Sequence, residues 1–435
     1  MAKRIRQKNK VWFFAVIFLI LILGLIFGIG AWIRGNDIGN ATDMMKLTIW
    51  LSDGITLDDI NAGDKSEVYE GNELTLVDGD GTKTYRGVQL KGRGNSTWAV
   101  EKKPYQIELQ RRADPFNLGR GRKWILLADY FDETHLRNDT AFYLEEMLGE
   151  EFPVRGTYAE VFIDETELGL YFVTNKVEIS KNSVDLRDPL GILVEVDNLH
   201  GSSAECYRTS ESICLVVEDT VDPEMEKEAI RDFLKDFDRL EVVAKSGDYK
   251  TVREVIDVES FAKYYLLSEF TVNPDAYTSS WFLYKDGPND KIHAGPGWDF
   301  DLALGNRRWV WTDNENFYSP EETMVRRIEA MRNDDKRDVN TTRVMYYLMD
   351  MPEFRAEVER IYTERLSGRF DELKRHIITT AAEIAPAAEA DNARWGRGNF
   401  YENVDYLLDW LSRRYRHFEA EYGGEAKNDA KTRML

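Results

Sequence analysis

The chain has 435 residues, of which 43% are hydrophobic and 31% are charged. This composition is typical of folded globular domains and excludes a disordered chain. The formal net charge of −21 repels nucleic acid at long range, so we expect no nucleic-acid partner. An acidic protein of this kind suits an exposed domain that acts on basic substrates.

The first feature in chain order is an apolar segment behind a basic terminus. Residues 11–33 carry no charged side chain, and a bilayer span takes about 20 apolar residues. We expect an uncleaved transmembrane helix; the alternative is a signal peptide, although its apolar region is shorter, about 7–15 residues. Five cations lie in residues 1–10. The positive-inside rule therefore places the N-terminus in the cytoplasm and the main domain, behind a tether at 34–45, outside it.

The next segments predict strands joined by a tight turn. Residues 46–52 alternate in hydrophobicity, as in a strand with one buried face. Residues 74–77 and 85–90 flank the sequence Asp-Gly-Asp-Gly at 78–81, which is typical of a hairpin turn. The same sequence resembles the start of a calcium-binding loop, but it lacks the third acidic residue and the distal Glu that such a loop requires. We therefore interpret it as a turn.

A loop that contains glycines is predicted after this hairpin. Glycine lets the backbone approach a ligand closely, and the polar side chains of the loop carry donors suited to phosphate oxygens. Its spacing fits neither a P-loop nor the protein-kinase glycine motif, and an ordinary hairpin loop is the alternative. The residues of this candidate phosphate loop are Arg93, Gly94, Asn95, Ser96 and Thr97.

The strand predicted at residues 102–109 begins with two lysines. Alternate residues of a strand share a face, which places Lys103 with Tyr105, Ile107 and Leu109 on the apolar side. A lysine directed at the core requires an anionic partner, so Lys103 is a candidate phosphate ligand. The alternative is a lysine at the strand end whose ammonium reaches solvent.

Further along, the pattern predicts one helix and three strands. Apolar residues at helical spacing indicate a helix at 136–148. Alternating residues at 158–163 and 170–177 predict a second hairpin, and the apolar run at 192–196 predicts a buried strand.

The polar residues after this strand mark a predicted boundary. Beyond it, apolar residues recur mostly at helical spacing. We expect an α+β fold with a strand-rich region at 46–197, a helical region at 198–423 and a charged, frayed tail at 424–435.

The chain has two cysteines, Cys206 and Cys214. In an oxidising compartment, a pair this close in sequence can form a disulfide that staples a short hairpin. The alternative is two unpaired residues. Two cysteines cannot build a structural zinc site alone, and five histidines in the whole chain form no cluster with them.

The segment at 261–306 carries the acidic residues that suggest chemistry. Asp275 follows an Asn-Pro pair at the end of a predicted helix, and Asp299 and Asp301 follow an aromatic strand. Carboxylates on neighbouring loops can converge on a metal–phosphate centre, as phosphoryl transfer requires. The alternative is a polar hairpin in which these acids are only turn residues.

Taken together, the motifs resemble the spore-coat protein H (CotH) kinase family, an atypical kinase-like family that binds ATP and Mg²⁺. The similarity covers about residues 46–422 and rests on the order and spacing of the motifs. These are the sequence at 93–98, Lys103-Pro104-Tyr105, Leu136-Arg137-Asn138, Asn273-Pro274-Asp275 and the sequence at 298–305.

The resemblance implies a bilobal fold, with a strand-rich N-lobe and a helical C-lobe, and it implies roles for the motif residues. The loop at 93–97 would cover the phosphates and Lys103 would bind them. Asp275 would be the catalytic acid/base residue, and Asp299, assisted by Asp301, would hold Mg²⁺, with Mn²⁺ as a possible substitute.

Two further implications concern the surroundings of the nucleotide. Glu145 or Glu146 would orient the phosphate-binding lysine, and the strand at 192–196 would form the hinge near the adenine. One position departs from conventional kinases, which carry an asparagine five residues after the catalytic aspartate to hold a second metal. Here that position is Ser280, a weaker ligand.

We therefore expect a single-pass, extracytoplasmic kinase that phosphorylates serine or threonine of an envelope, coat or secreted protein. One alternative is a non-catalytic module for surface or coat assembly. Another is a phosphotransferase that acts on a small molecule or an envelope polymer.

Overall fold

The computed structural model describes residues 44–198, 206–306, 319–325 and 342–423. The basic terminus at 1–10, the predicted transmembrane helix at 11–33, nearly all of the tether and the predicted tail lie outside these residues. Within the described ranges, no helix combines the length and the apolar character that crossing a bilayer requires.

The strand-rich N-terminal part closes into a barrel. Its described strands are β1 (Met45–Trp50), β2 (Tyr69–Asp78), β3 (Gly81–Gly92), β4 (Tyr105–Ala113), β5 (Gly121–Leu127), β6 (Gly156–Ile163) and β7 (Thr166–Asn175). They follow the order β1-β2-β3-β4-β5-β7-β6. The parallel pairing of β1 with β6 closes the ring, so the barrel has no free edge.

The barrel interior is filled by the apolar side chains at alternate positions of its strands. Leu74, Leu76, Val88 and Leu90 on β2 and β3 are fully buried, as period-two alternation requires. Both predicted hairpins are confirmed, and the turn at 78–81 joins β2 to β3. In that turn the Asp78 carboxylate accepts a 2.9 Å hydrogen bond from the backbone N–H two residues further on.

The described helices are α1 (Leu57–Ala62), α2 (Arg137–Leu148), α3 (Glu226–Ser246), α4 (Tyr249–Val255), α5 (Val258–Thr271), α6 (Val344–Asp350), α7 (Pro352–Arg365), α8 (Phe370–Arg394) and α9 (Phe400–Tyr422). The protein is thus an α+β protein with a strand-rich N-terminal region and a helical C-terminal part. On α3, Phe233, Phe237 and Leu240 are fully buried because helical spacing places them on one face.

The helix predicted at 136–148 is confirmed as α2. It ends at Gly149, whose φ of 73° is the left-handed conformation that favours glycine at a helix end. The helix packs on the outside of the barrel, where the ring of Phe142 lies 6.1 Å from Phe172 of β7 and 6.0 Å from Trp298. This contact joins the barrel to the loop that carries Asp299.

A second sheet crosses the predicted boundary at residue 197. Its described strands are β8 (Gly191–Val196), β9 (Cys206–Arg208), β10 (Cys214–Thr220), β11 (Trp281–Asp286) and β12 (His293–Ala294). Their order is β12-β11-β8-β10-β9. The strand β8, assigned from sequence to the N-terminal region, therefore lies at the centre of a sheet whose other strands follow residue 197. The barrel itself ends at Asn175, and the two parts have separate hydrophobic cores.

Candidate functional site

A cavity of about 250 Å³ lies where the barrel loops meet the second sheet. Its walls come from the loop between β3 and β4, the end of β5, strand β8 and the segments that flank β11. The predicted site residues that line it are Arg93, Gly94, Asn95, Ser96, Thr97, Asp275, Asp299 and Asp301. The structure thus brings together the candidate phosphate loop and the three candidate carboxylates.

The phosphate loop, residues 93–97, is shaped by Gly94. Its φ is 80°, and a Cβ there would lie 2.0 Å from Thr97 Oγ1, so a side chain would both strain the backbone and clash. The ammonium of Lys65 fixes the loop from outside through a 2.7 Å bond to the Gly94 carbonyl. Glycine is therefore required at this position of the loop.

Arg93 directs its guanidinium into the cavity. The guanidinium carbon lies 5.3 Å from the centre of the Trp298 ring, a cation–π distance. Burial lowers the pKa of Arg93, and the charges of Asp299, Glu218 and Glu195 act in the opposite direction. An arginine remains charged in proteins, so Arg93 presents donors suited to phosphate oxygens.

The predicted orientation of Lys103 is wrong. Strand β4 begins at Tyr105, so the alternation does not extend back to residue 103. The Lys103 ammonium bonds the Trp98 carbonyl at 2.5 Å and the Val100 carbonyl at 3.3 Å. It does not belong to the described residues that line the cavity. The buried lysine is its neighbour Lys102, which is 1% exposed.

Neither acid predicted to orient Lys103 contacts it in the described structure. Glu145 is buried, and its Oε1 accepts a 2.6 Å bond from the backbone N–H of Gly297. Burial raises the pKa of Glu145 well above its usual range. Glu146 pairs instead with Arg155 near the surface. Glu145 thus holds the backbone two residues before Asp299, which makes it a positioning residue.

Asp275 lies on a turn directly after α5. The helix ends at Val272 in the left-handed conformation, and the side chain of Asn273 accepts a 3.0 Å bond from the Asp275 N–H. The Asp275 carbonyl in turn accepts bonds from the N–H groups of Thr278 and Ser279. These local bonds fix the backbone, so the Asp275 carboxylate is presented at the cavity wall from a rigid turn.

Asp299 contacts Ser280 at the cavity wall. The hydroxyl of Ser280 donates a 3.1 Å hydrogen bond to Asp299 Oδ2. Both residues have left-handed φ values, 53° and 56°, a conformation that costs about 1–3 kcal/mol for residues other than glycine. Backbone strain of this kind concentrates at functional sites and persists where surrounding contacts enforce it.

The loop that carries Asp299 is held by α2. Besides Glu145, the side chain of Asn138 accepts a 2.9 Å bond from the N–H of Phe300, and Arg137 Nε donates to the Ala303 carbonyl at 3.1 Å. One helix therefore fixes the backbone of this loop at three positions, residues 297, 300 and 303. We call these three contacts the clamp. Two of them come from the Leu-Arg-Asn motif at 136–138, whose role in holding this loop is not evident from the sequence alone.

Asp301 is crowded by other carboxylates. Burial raises the pKa of Asp301 well above its usual range, and the negative charges of Asp299, Asp129 and Asp275 raise it further. A bound cation would relieve this repulsion. The carboxylate side of the cavity is therefore an environment that favours a cation over a further negative charge.

Sequence reasoning missed several acidic residues of the cavity. Asp129, Glu195, Asp197 and Glu218 also line it. Burial raises the pKa of Glu195 well above normal, with the charges of Glu218 and Asp197 adding to the effect. A signal was present for Glu195, because it interrupts the apolar run of β8. Asp129 follows β5 by two residues, but a polar residue after a strand is common.

The donor set fits Mg²⁺ or Mn²⁺. The acidic side chains that line the cavity are all carboxylates, which these hard cations prefer. Across the described residues, no three His, Cys, Asp or Glu side chains form a ready-made metal cage. Mg²⁺ does not need one, since it is usually bound by one or two carboxylates together with waters and substrate phosphates.

The cysteines lie beside the cavity. A disulfide joins Cys206 to Cys214 across the antiparallel pair β9 and β10, with Cα atoms 5.5 Å apart. The Cys214 carbonyl accepts a 3.1 Å bond from the N–H of Asp197. The staple therefore borders a residue of the cavity wall.

The chain is similar to one described protein family. The family model for the CotH kinase protein matches residues 90–418, which includes the phosphate loop and all three predicted carboxylates. A search of curated proteins found no match. Because the family match spans the greater part of the chain, the protein belongs to the CotH kinase family.

Proposed function

We propose that this protein is a membrane-anchored, extracytoplasmic kinase that transfers the γ-phosphate of ATP to serine or threonine of an envelope, coat or secreted protein. This proposal rests on one observation. The phosphate loop lines the same cavity as Asp275, Asp299 and Asp301. Phosphoryl transfer depends mainly on positioning and on charge stabilisation around the phosphates. In this proposal the barrel and the helical part act as the two lobes of a kinase-like fold.

The phosphate side of the site would be formed by the loop at 93–97. Arg93 is held over Trp298, and no described residue hydrogen-bonds its guanidinium, so its donors are available to phosphate oxygens. Asn95, Ser96 and Thr97 supply further polar groups from the same loop. Lys103 has no part in this binding, because its ammonium is engaged with the Trp98 carbonyl.

The carboxylates would bind the cation and accept the proton. Asp299, assisted by Asp301, would hold Mg²⁺ or Mn²⁺, which supplies charge neutralisation at the phosphates when bound. Asp275 would accept the proton of the substrate hydroxyl at its carboxylate, which a rigid turn presents to the cavity. The Ser280 hydroxyl orients Asp299 through its 3.1 Å bond.

The direct test is phosphate transfer by the purified full-length protein. The protein is incubated with γ-labelled ATP, Mg²⁺ or Mn²⁺ and an envelope extract, and labelled proteins are identified together with the modified residue. Asp275→Asn should lower the rate by about 100-fold or more. A matched control is Asp80→Asn on the exposed turn between β2 and β3, which should have no effect.

The assay also separates the alternative functions. Label on a small molecule or a polymer, with none on protein, would replace the proposed substrate class. Absence of transfer from a folded protein that binds no nucleotide would identify a non-catalytic assembly module.

The proposed location has its own test. Five cations precede residues 11–33, which favours an extracytoplasmic main domain. Protease added to intact cells or spheroplasts should digest the domain. An undigested domain, with digestion restored after lysis, would contradict this orientation.

A further inference from the structure

Asp129 carries a buried carboxylate oxygen that no described residue hydrogen-bonds. The residue is 5% exposed and lines the cavity. Its Oδ1 accepts a 3.0 Å bond from Asn138 Nδ2, whereas its Oδ2 is buried and has no hydrogen-bond partner among the described residues. A buried carboxylate oxygen in this state is costly unless something outside the protein satisfies it.

The neighbouring Asp132 shows what a structural aspartate looks like here. Both of its oxygens are used, because they accept bonds from the N–H groups of Thr134 and Arg137 at 2.9 and 2.8 Å. Its carboxylate also pairs with the Arg137 guanidinium. Asp129 has no such partner, although both residues belong to the same short segment between β5 and α2.

The cations near Asp129 are committed elsewhere. Arg397 reaches Asp129, but it bonds the backbone carbonyl at 2.7 Å rather than the carboxylate. The ammonium of Lys102 lies 2.8 Å from Asp391. No described cation therefore bonds the free oxygen of Asp129.

Asp301 is another acidic residue of the cavity whose carboxylate faces few partners. Its backbone carbonyl accepts a bond from Asn306, while no described residue hydrogen-bonds its carboxylate. The side chain of Asn138 links the loops that carry the two carboxylates, since it donates to Asp129 and accepts from Phe300, next to Asp301. Both line the same cavity.

We propose that Asp129 and Asp301 form a second divalent-cation site beside the cation held by Asp299, with Asp301 serving both cations. The nucleotide phosphates and water would supply the remaining ligands, as is usual for Mg²⁺. This site replaces the second-metal asparagine of conventional kinases, for which Ser280 is a poor substitute because its hydroxyl donates to Asp299. The inference rests on the proposed nucleotide binding.

The test counts bound Mn²⁺ by electron paramagnetic resonance on the full-length protein, with and without a non-hydrolysable ATP analogue. The key variant is Asp129→Asn. Asparagine tolerates the left-handed φ of 46° at this position, and its carbonyl can still accept the bond from Asn138. The control is Asp164→Asn, which makes the same change at a φ of 50° outside the cavity.

With the analogue, wild type and the control should bind about two Mn²⁺, and Asp129→Asn about one. Two cations on a folded Asp129→Asn variant would overturn the second site and leave the proposed function intact. So would a single cation on wild type, which decides the question even if the variant fails to fold. Absence of analogue binding to wild type would instead overturn the proposed function, and this site with it.

Discussion

The ammonium of Lys102 lies 2.8 Å from the carboxylate of Asp391, and both side chains are fully buried. Lys102 lies three residues before β4, whereas Asp391 lies on α8 near the other end of the chain. Arg397 and His135 complete the cluster around Asp391. This buried network joins the barrel to the C-terminal helices behind the cavity.

Lys102→Met should destabilise the protein by about 3–5 kcal/mol, because it leaves the Asp391 carboxylate buried beside fewer cations. Lys103→Met should cost less than about 1 kcal/mol, since the Lys103 ammonium is only partly buried. Urea denaturation followed by tryptophan fluorescence measures both. Nucleotide affinity of Lys103→Met should stay within about twofold of wild type; a tenfold loss would restore its role as a phosphate ligand.

Asn138→Ala should disturb the site more than the fold. The variant removes the side chain that links Asp129 to Phe300, and loss of buried hydrogen bonds costs about 1–3 kcal/mol. Since Asn138 does not react itself, kcat should fall by about tenfold or more while the KM for ATP changes less. Unchanged kcat in a folded variant would show that the clamp is purely structural.

The stability of the protein should depend on the protonation of His135. Burial lowers the pKa of this imidazole to about 3, and the charge of Arg397 adds to the effect. An unfolded histidine has a pKa of about 6.5, so the contribution of His135 to stability is complete above that value. It is lost as the pH falls towards the folded pKa, by up to about 1.4 kcal/mol per pH unit.

His135→Asn isolates this effect, because asparagine accepts the left-handed φ of 57° at this position. The unfolding free energy of wild type should fall faster than that of the variant between pH 7.5 and pH 5. Parallel pH profiles for the two proteins would contradict the assignment of acid sensitivity to His135.

Reduction of the disulfide should lower the stability of the protein only modestly. The bond closes a loop between residues only 8 apart in sequence, so its stabilisation should lie below the roughly 3 kcal/mol expected for a 15-residue loop. Cys206→Ser together with Cys214→Ser should therefore fold and retain activity. Mass spectrometry of protein from the native envelope should show the oxidised pair, and two free thiols there would count against an oxidising location.

The sequence predicted the parts of the site that lie on its most regular patterns. The loop at 93–97 and the carboxylates Asp275, Asp299 and Asp301 line one cavity. Both hairpins and helix α2 also agree with prediction, because alternation and helical spacing report which face is buried.

The predictions that were wrong or missed share a physical cause. Each concerns a residue or strand whose position depends on residues far away in the sequence. Lys102 is buried instead of Lys103 because both residues precede β4, where the strand alternation does not apply. The partner of Lys102 is Asp391, which lies on α8. The place of β8 at the centre of the second sheet depends on β10 and β11, which follow the predicted boundary. Asp129 gave no local signal, since its significance comes from Asn138 and from the cavity.

The central claim is that the cavity binds ATP together with a divalent cation held by Asp299. It is tested most directly by calorimetric titration of the full-length protein with a non-hydrolysable ATP analogue. Wild type should bind the analogue in Mg²⁺, with affinity reduced at least about tenfold in EDTA. Asp299→Asn, confirmed as folded by circular dichroism, should bind the analogue in Mg²⁺ at least about tenfold more weakly than wild type. Equal affinity of wild type and Asp299→Asn in Mg²⁺ would contradict the account.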